Sequence, residues 1–373
     1  MTGTADVLVI GGGIAGISAA ARLAPDARVT VLEREPAIGT HATGRSAAIF
    51  IANYGNATLR ALNAASAPAL EVPDFVDGPL LSPRGELLVA TEAEMPALER
   101  HLAGAEGMEA LSPDEAVALV PVLRGDLISG AAIERGARDI DVDRLLQGFA
   151  RQLRHHRGTV VQDAGAERIG RGGGVWRVET AAGEFEAPVL VNAAGAWADT
   201  VAEMAGVARV GLVPMRRSAA ILPAPAGHDV DRWPLFAPVS ESWYAKPESG
   251  KLMVSPADED PVDPHDAWPD DMVLAEGLDR FERMTTVEVT RVERSWAGLR
   301  SFVADRSPAV GFAADAEGFF WLAGQGGYGV QTSPALSRLA ADLVLARKPA
   351  LPAAVVAALD PGRAGIGPAY AKS

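Results

Sequence analysis

The first 33 residues restrict this chain more than any other stretch. Asp6-Val-Leu-Val-Ile10 is an apolar run of strand type. It leads straight into Gly11-Gly-Gly-Ile-Ala-Gly16, and Ile17-Ser-Ala-Ala-Ala-Arg-Leu23 continues as a helix of small residues. The spacing is G-x-G-x-x-G between a strand and a helix, the setting in which that motif has physical meaning. Gly11 makes a tight turn, Gly13 lets backbone approach a pyrophosphate, and Gly16 lets the helix pack close to the strand. The helix N-terminus offers N–H groups and a positive dipole end to phosphate, with Ile14 and Ala15 beside it as candidate cofactor contacts. A second strand, Arg28 to Leu32, ends at Glu33. Glu33 follows Gly13 at the roughly 20-residue distance of an acid that binds a ribose hydroxyl. A glycine turn without a ligand leaves Glu33 unexplained, so the opening reads as a dinucleotide-binding α/β unit.

A chain of 373 residues can hold one large domain or two. Its net charge of −14, with no Lys/Arg run, argues against nucleic acid or an anionic membrane as partner. There are no cysteines, which excludes disulfides, thiolate metal sites, a Cys nucleophile and flavin attachment through sulfur. The histidines show no metal-ligand spacing, so no metal site is expected. The first strand begins within a few residues of Met1, leaving no visible signal peptide, and the apolar runs are too short to span a bilayer. A cytoplasmic protein is the expectation.

Two later blocks look like returns to the opening domain. Asp141 can cap a helix running to about His156, followed by strands at Thr159–Val161, Val175–Thr180 and Val189–Asn192. The other return runs from about Trp296 to a last helix near Thr332–Arg347. Between them, 46–139 holds loops, a strand at Glu86–Ala90 and short helices, one opened by the capping box Ser112-Pro-Asp-Glu115. Residues 213–294 read as strands, with a long Pro/Asp-rich loop at Pro256–Asp271. The expected division is a discontinuous nucleotide domain (1–45, 140–212 and 295–373) and an inserted substrate domain (46–139 and 213–294).

Three further segments suit a bound cofactor. Gly39 to Ala48 is a small-residue loop against which a flat ring can lie. Val189-Leu-Val-Asn-Ala-Ala-Gly-Ala-Trp197 is an apolar strand ending in small residues at its carboxyl end. Gly324-Gln-Gly-Gly-Tyr-Gly329 turns a strand into a helix, whose dipole can stabilise negative charge on a reduced ring.

The fingerprint, ATGRSAA, VNAAGAW, WAGLRSF and GQGGYG occur in order, and the chain resembles the FAD-dependent D-amino-acid oxidase superfamily. Through PLLSPRGELL, PVLRGD, RRSA and GYGVQTS it is most similar to the bacterial D-arginine dehydrogenases. The resemblance implies an α/β fold: a Rossmann-like FAD domain of the glutathione-reductase type with an inserted mixed-sheet domain. It implies non-covalent FAD and oxidation of a D-amino acid or related amine by hydride transfer to the flavin. The imino acid would hydrolyse to a 2-oxo acid and ammonia, and a quinone, a dye or O2 would take the electrons. Related flavoenzymes that oxidise 2-hydroxy acids, glycerol 3-phosphate or secondary amines share the scaffold and are the alternatives.

By the same resemblance, the cofactor residues extend to Arg34; to Thr43, Gly44, Arg45, Ser46 and Ala47; and to Ala194, Gly195 and Trp197. In the last loop they are Gly326, Gly327, Tyr328, Gly329 and Gln331. Arg300 matches an arginine that clamps the substrate carboxylate, a task suited to a guanidinium that pairs bidentately and keeps its charge. A structural ion pair is the alternative. Arg217 matches a further polar contact, and on a strand it and Arg216 must face opposite sides. Tyr54 and Tyr244 match tyrosines that close the site, though each also suits an interface aromatic. Glu86 matches the carboxylate for a cationic side chain, or is a solvated strand residue. Gly327 matches a position facing the substrate amine. His41, in a loop that carries covalent flavin in some relatives, has neighbours of the non-covalent type. Ile49 and Ile51 depart from the D-arginine dehydrogenase pattern, which has a histidine and a threonine there, on the loop over the pocket. An apolar lid suits D-Leu, D-Met or D-Phe as well as a basic substrate.

Overall fold

The computed structural model describes residues 2–367. A six-stranded sheet forms the first body, in the order Thr159–Val161, Val29–Leu32, Val7–Ile10, Val189–Asn192, Phe319–Ala323, Ala309–Phe312. Neighbours are parallel except the last pair. Parallel strands are covered on both faces, which is why Val7–Ile10 is apolar without alternation and fully buried. Helices Ile14–Leu23, Val142–His155 and Gly329–Val344 pack on one face. A small sheet built from Thr2–Thr4 and strands between Ala166 and Ala187 covers the other. Asp141 does cap its helix, accepting from the Arg144 N–H at 3.0 Å.

The second body is a nine-stranded sheet. Its pairings run Val213–Leu222, Lys251–Ser255, Tyr244–Glu248, Leu235–Pro238, Glu86–Ala90, Gly130–Glu134, Glu109–Leu111. Asp260–Pro261 and Arg294–Phe302 both pair with Val213–Leu222. The Arg294–Phe302 strand thus lies in this sheet, although the boundary expected at 294/295 assigned nearly all of it to the nucleotide domain. Similarly, helix Ala57–Glu71 falls in the expected substrate segment, yet Leu59, Leu62 and Leu70 belong to the nucleotide core, against Gly329–Val344.

Residues 213–294 are not all strand. Asp271–Met284 is a helix, capped by Asp270, which accepts from Met272 and Val273 N–H groups. Leu274, Leu278 and Phe281 carry its buried face at helical spacing, which the neighbouring strand signals masked. Helix starts also move: Ile14 rather than Ile17, and Gly329 rather than Thr332. Among the described residues no helix is long and apolar enough to cross a membrane.

Candidate active site

A cavity of about 630 Å³ runs from the glycine turn to the Arg294–Phe302 edge of the nine-stranded sheet. Its first end is made mainly of backbone. Gly11 has φ +112°, and a Cβ there would stand 2.3 Å from the Ala193 carbonyl oxygen. A Cβ on Gly16 would stand 2.0 Å from the Gly11 carbonyl oxygen, so only glycine lets helix and turn meet. At Gly13 the nearest atom is Thr43 Oγ1 at 3.3 Å, so the turn is open toward the cavity. No side chain of Gly13 caps the Ile14–Leu23 helix, though the Ile14 N–H donates to Thr43 Oγ1 at 3.0 Å. The buried Glu33 carboxylate accepts from the N–H groups of Gly12 and Glu35, which fixes it at the strand end.

The cavity continues past Arg34, Thr43, Arg45, Ser46 and Ala47, then Ala194, Gly195 and Trp197. The Arg34 guanidinium lies 4.8 Å from the Trp197 ring centroid. Arg45 ties this loop to the other body through the carbonyls of Ala267 and Ala297 and through Asp266. Gly44 is not on the wall; a Cβ there would meet the Gly39 carbonyl at 2.6 Å, so it serves the turn. Gly16 likewise acts in packing. His41 lines the cavity, but its Nε2 is 2.9 Å from Glu35 Oε1 and its ring packs on Trp197.

Side chains make the other end. Arg217, Tyr244, Arg300 and Gly327 all line it. As expected for a strand, Arg216 faces away, to Asp258 and Asp260, while Arg217 faces the cavity with Glu259 at 2.9 Å. Arg300, opposite Met215 on the neighbouring strand, lies against Gly327, where a Cβ would come within 3.1 Å of the guanidinium. Burial and Arg300 hold the Arg217 pKa down. Burial also opposes the charge of Arg300, but Tyr54, Tyr244 and Glu259 outweigh it, and its pKa is raised. For the Tyr244 phenol, burial is overcome by Arg300, Arg217 and a Ser255 hydrogen bond, and the pKa is lowered. Two buried polar atoms on this wall, Arg217 Nε and Ser301 Oγ, lack a hydrogen-bond partner among the described residues. Buried donors of that kind want a ligand.

Tyr54 and Glu86 do not line the cavity itself. Tyr54 stands behind it, its ring 4.7 Å from that of Tyr328 and within the field of both arginines; burial pushes its phenol up to about 12. Tyr328 itself lies off the cavity wall. Glu86 sits farther along the sheet, directly opposite Glu134, and its carboxyl makes no hydrogen bond or ion pair among the described residues. Burial, then Glu134 and Glu241, push its carboxyl up to about 8. Gln331 is not turned to the cavity: its amide accepts from Ile51 N–H at 3.1 Å and donates to Asn63 at 2.8 Å. Glu134, Ser301 and Glu259 were not singled out from sequence. Ser301 adjoins Arg300 and was within reach of the motif; the other two become neighbours of the site only through folding.

The glycine turn, Glu33 and the unpartnered donors together fit an elongated dinucleotide whose ring reaches the two arginines. Residues 6–343 match the FAD dependent oxidoreductase (DAO) family. A bovine (Bos taurus) FAD-dependent oxidoreductase domain-containing protein 1 is 26% identical over 91% of this chain and 81% of its own length. Glycine oxidase of Geobacillus kaustophilus is 25% identical, covering 92% of this chain and 94% of its own. Its crystal structure superposes with a TM-score of 0.83 at 23% identity, over 97% of this chain and 99% of that one. That of L-proline dehydrogenase from P. horikoshii gives 0.84 at 21% identity, over 97% and 98%. These structural likenesses establish the fold alone. The family match is decisive for membership: the chain belongs to the FAD-dependent oxidoreductase (DAO) family, and its cofactor is FAD.

Proposed function

We propose, with that membership as premise, that this protein oxidises the CH–NH2 group of a D-amino acid, basic or hydrophobic, as the D-arginine dehydrogenases do. The observation that carries the reading is the pair of inward guanidiniums, Arg217 and Arg300, flanked by Tyr244 and with Tyr54 behind them. Two cations facing one cavity call for an anion, and a planar guanidinium matches a carboxylate in two parallel hydrogen bonds. FAD, when bound, supplies the hydride acceptor.

The chain's own part is to place the substrate. Arg300 holds the carboxylate from one side and Arg217 steadies it, so that Cα faces the ring end of the cavity. The backbone at Gly327, lying flush on Arg300, leaves room for the amine. Loss of hydride from Cα and of a proton from nitrogen gives an imino acid, which water hydrolyses to a 2-oxo acid and ammonia. The cofactor is held without a covalent link; His41 on the cavity wall pairs instead with Glu35. The electrons pass on to a quinone, a dye or O2.

Ile51 and Glu86 stand behind the cavity rather than on its wall; a buried Ile51 and a Glu86 carboxyl held toward its protonated form at neutral pH give a guanidinium no counter-ion there, which favours apolar side chains. A second reading keeps the arginines and changes the group oxidised, to a 2-hydroxy acid or a secondary amine. Anaerobic mixing of the flavin-loaded protein with D-amino acids, N-methyl amino acids and 2-hydroxy acids separates the two. Bleaching by D-Leu or D-Met at the lowest concentration is expected; bleaching by hydroxy acids alone would replace this reading with the second.

A further inference from the structure

The segment from Ile51 to Tyr54 links the cofactor loop to the tyrosine behind the two arginines, and its backbone is held by buried side chains from three other elements. From the nine-stranded sheet, Glu134 accepts from the Ala52 N–H at 2.8 Å, from the Asn53 side-chain amide at 2.7 Å, and from the Asn53 N–H at 3.4 Å. From helix Ala57–Glu71, Asn63 donates to the carbonyls of Ile51, Ala52 and Tyr54. From helix Gly329–Val344, Gln331 accepts from Ile51. Asn53 extends the chain outward, exchanging two 2.9 Å bonds with the backbone of Glu106. Glu134 is 4% exposed, Asn63 0% and Gln331 3%. A carboxylate buried to that degree is tolerated where donors surround it, and here three N–H groups of one segment do so.

Glu134 is the one charged member of the set. It stands beside Glu86 on the antiparallel neighbour strand, on the same sheet face. The two carboxyls divide their tasks: Glu134 has the amide donors that suit an anion, and Glu86 has none among the described residues.

We propose that Glu134 is a positioning residue of the substrate pocket, its carboxylate latching residues 51–54 to the nine-stranded sheet and so fixing Tyr54 behind Arg217 and Arg300. The segment bearing Ile51 and Tyr54 is then a fixed backing to the pocket rather than a free flap, and side-chain selection depends on a residue that touches no substrate. Glu134 also adds to its neighbour's shift: burial first, and then a carboxylate at that row, raise the Glu86 carboxyl. The proposal rests on the reading of the cavity as the catalytic site, and its test separates the two.

The test uses the flavin-loaded full chain and Glu134→Gln, which keeps the size and removes one acceptor oxygen and the charge. Hydrogen–deuterium exchange followed by mass spectrometry reads the latch without any substrate. Exchange in peptides covering 49–55 should accelerate about tenfold or more, as expected when a bond to a charged acceptor is lost, with Val7–Ile10 unchanged. Unchanged exchange at 49–55 would overturn the proposal, as would acceleration spread evenly through Glu86–Ala90 and Gly130–Glu134, the mark of a purely structural role. With a substrate that bleaches the wild type, KM should rise about fivefold or more while kcat changes less than about threefold. A fall in kcat at constant KM would also overturn it. If no compound bleaches the wild type, the catalytic reading fails while the exchange result still decides the latch. Should Glu134→Gln not fold, Asn53→Ala opens the same latch from the other side, with acceleration confined to 49–55 as the supporting result.

Discussion

The two ends of the cavity are built on different principles. The cofactor end is short in sequence and made of backbone: Gly11, Gly13 and Gly16 shape it, and Glu33 closes it within one βαβ unit. The substrate end is long-range and made of side chains: Arg217, Tyr244 and Arg300 come from three strands of one sheet, and Tyr54 from a loop latched onto it. A backbone site tolerates almost no substitution at its turns but is indifferent to most side chains around it. A side-chain site folds with many substitutions and changes what it selects. The same scaffold can therefore keep its cofactor while its substrate varies.

Substitutions at each end should separate accordingly. The largest effect is expected at Gly11→Ala, because the backbone conformation alone costs a side chain ~1–3 kcal/mol and the Cβ would also meet Ala193. The protein should purify without flavin; a normal yellow absorbance per chain would break the contrast. Next comes Arg300→Met, which leaves the cofactor end alone and removes a charge-assisted contact of ~1.5–3 kcal/mol. Flavin content should stay normal while kcat/KM falls ~10- to 150-fold; equal losses of flavin and activity would show that the two ends are not independent. The smallest effect is expected from Glu86→Gln and appears in stability. The Glu86 carboxyl is raised in the fold from 4.5 to about 8, chiefly by burial. The folded chain then binds this proton more tightly than the unfolded chain, so its contribution is full below the ordinary pKa and is lost as pH rises toward about 8. Glu86→Gln removes that loss. Its Tm should fall less than that of the wild type between pH 5 and pH 8; parallel curves would show that Glu86 does not carry the proton.

The same contrast explains what could be read from the sequence. The strand–turn–helix opening, the Asp141 cap and the Ser112 capping box are local patterns, and each appears in place. Strand Arg294–Phe302 was visible as a motif, but not its partner, because pairing with Val213–Leu222 is decided by sheet register between distant segments. Helix Asp271–Met284 was hidden by the strand-like texture around it. Arg300 and Arg217 could be located through family-like motifs. Glu134 could not: in Ala131-Ala-Ile-Glu-Arg135 it reads as the polar end of a strand, and only the docking of Ala52 and Asn53 makes it a buried acceptor. Gln331 belongs to a motif that faces the cofactor, yet its amide is engaged by Ile51 and Asn63.

The hydrogen bond from the Gly326 N–H to the Ser301 carbonyl has a further consequence. It splices the strand that carries Arg300 to the loop leaving the nucleotide sheet. The backbone of the clamp strand and that of the cofactor loop are thereby joined, whatever the fate of the Arg300 side chain. The backing behind the cavity made by residues 51–54, Glu86 and Glu134 comes from other segments and lies outside that splice. A lineage built on this scaffold is free to explore new substrates there, one wall at a time, without rebuilding the geometry that oxidises them.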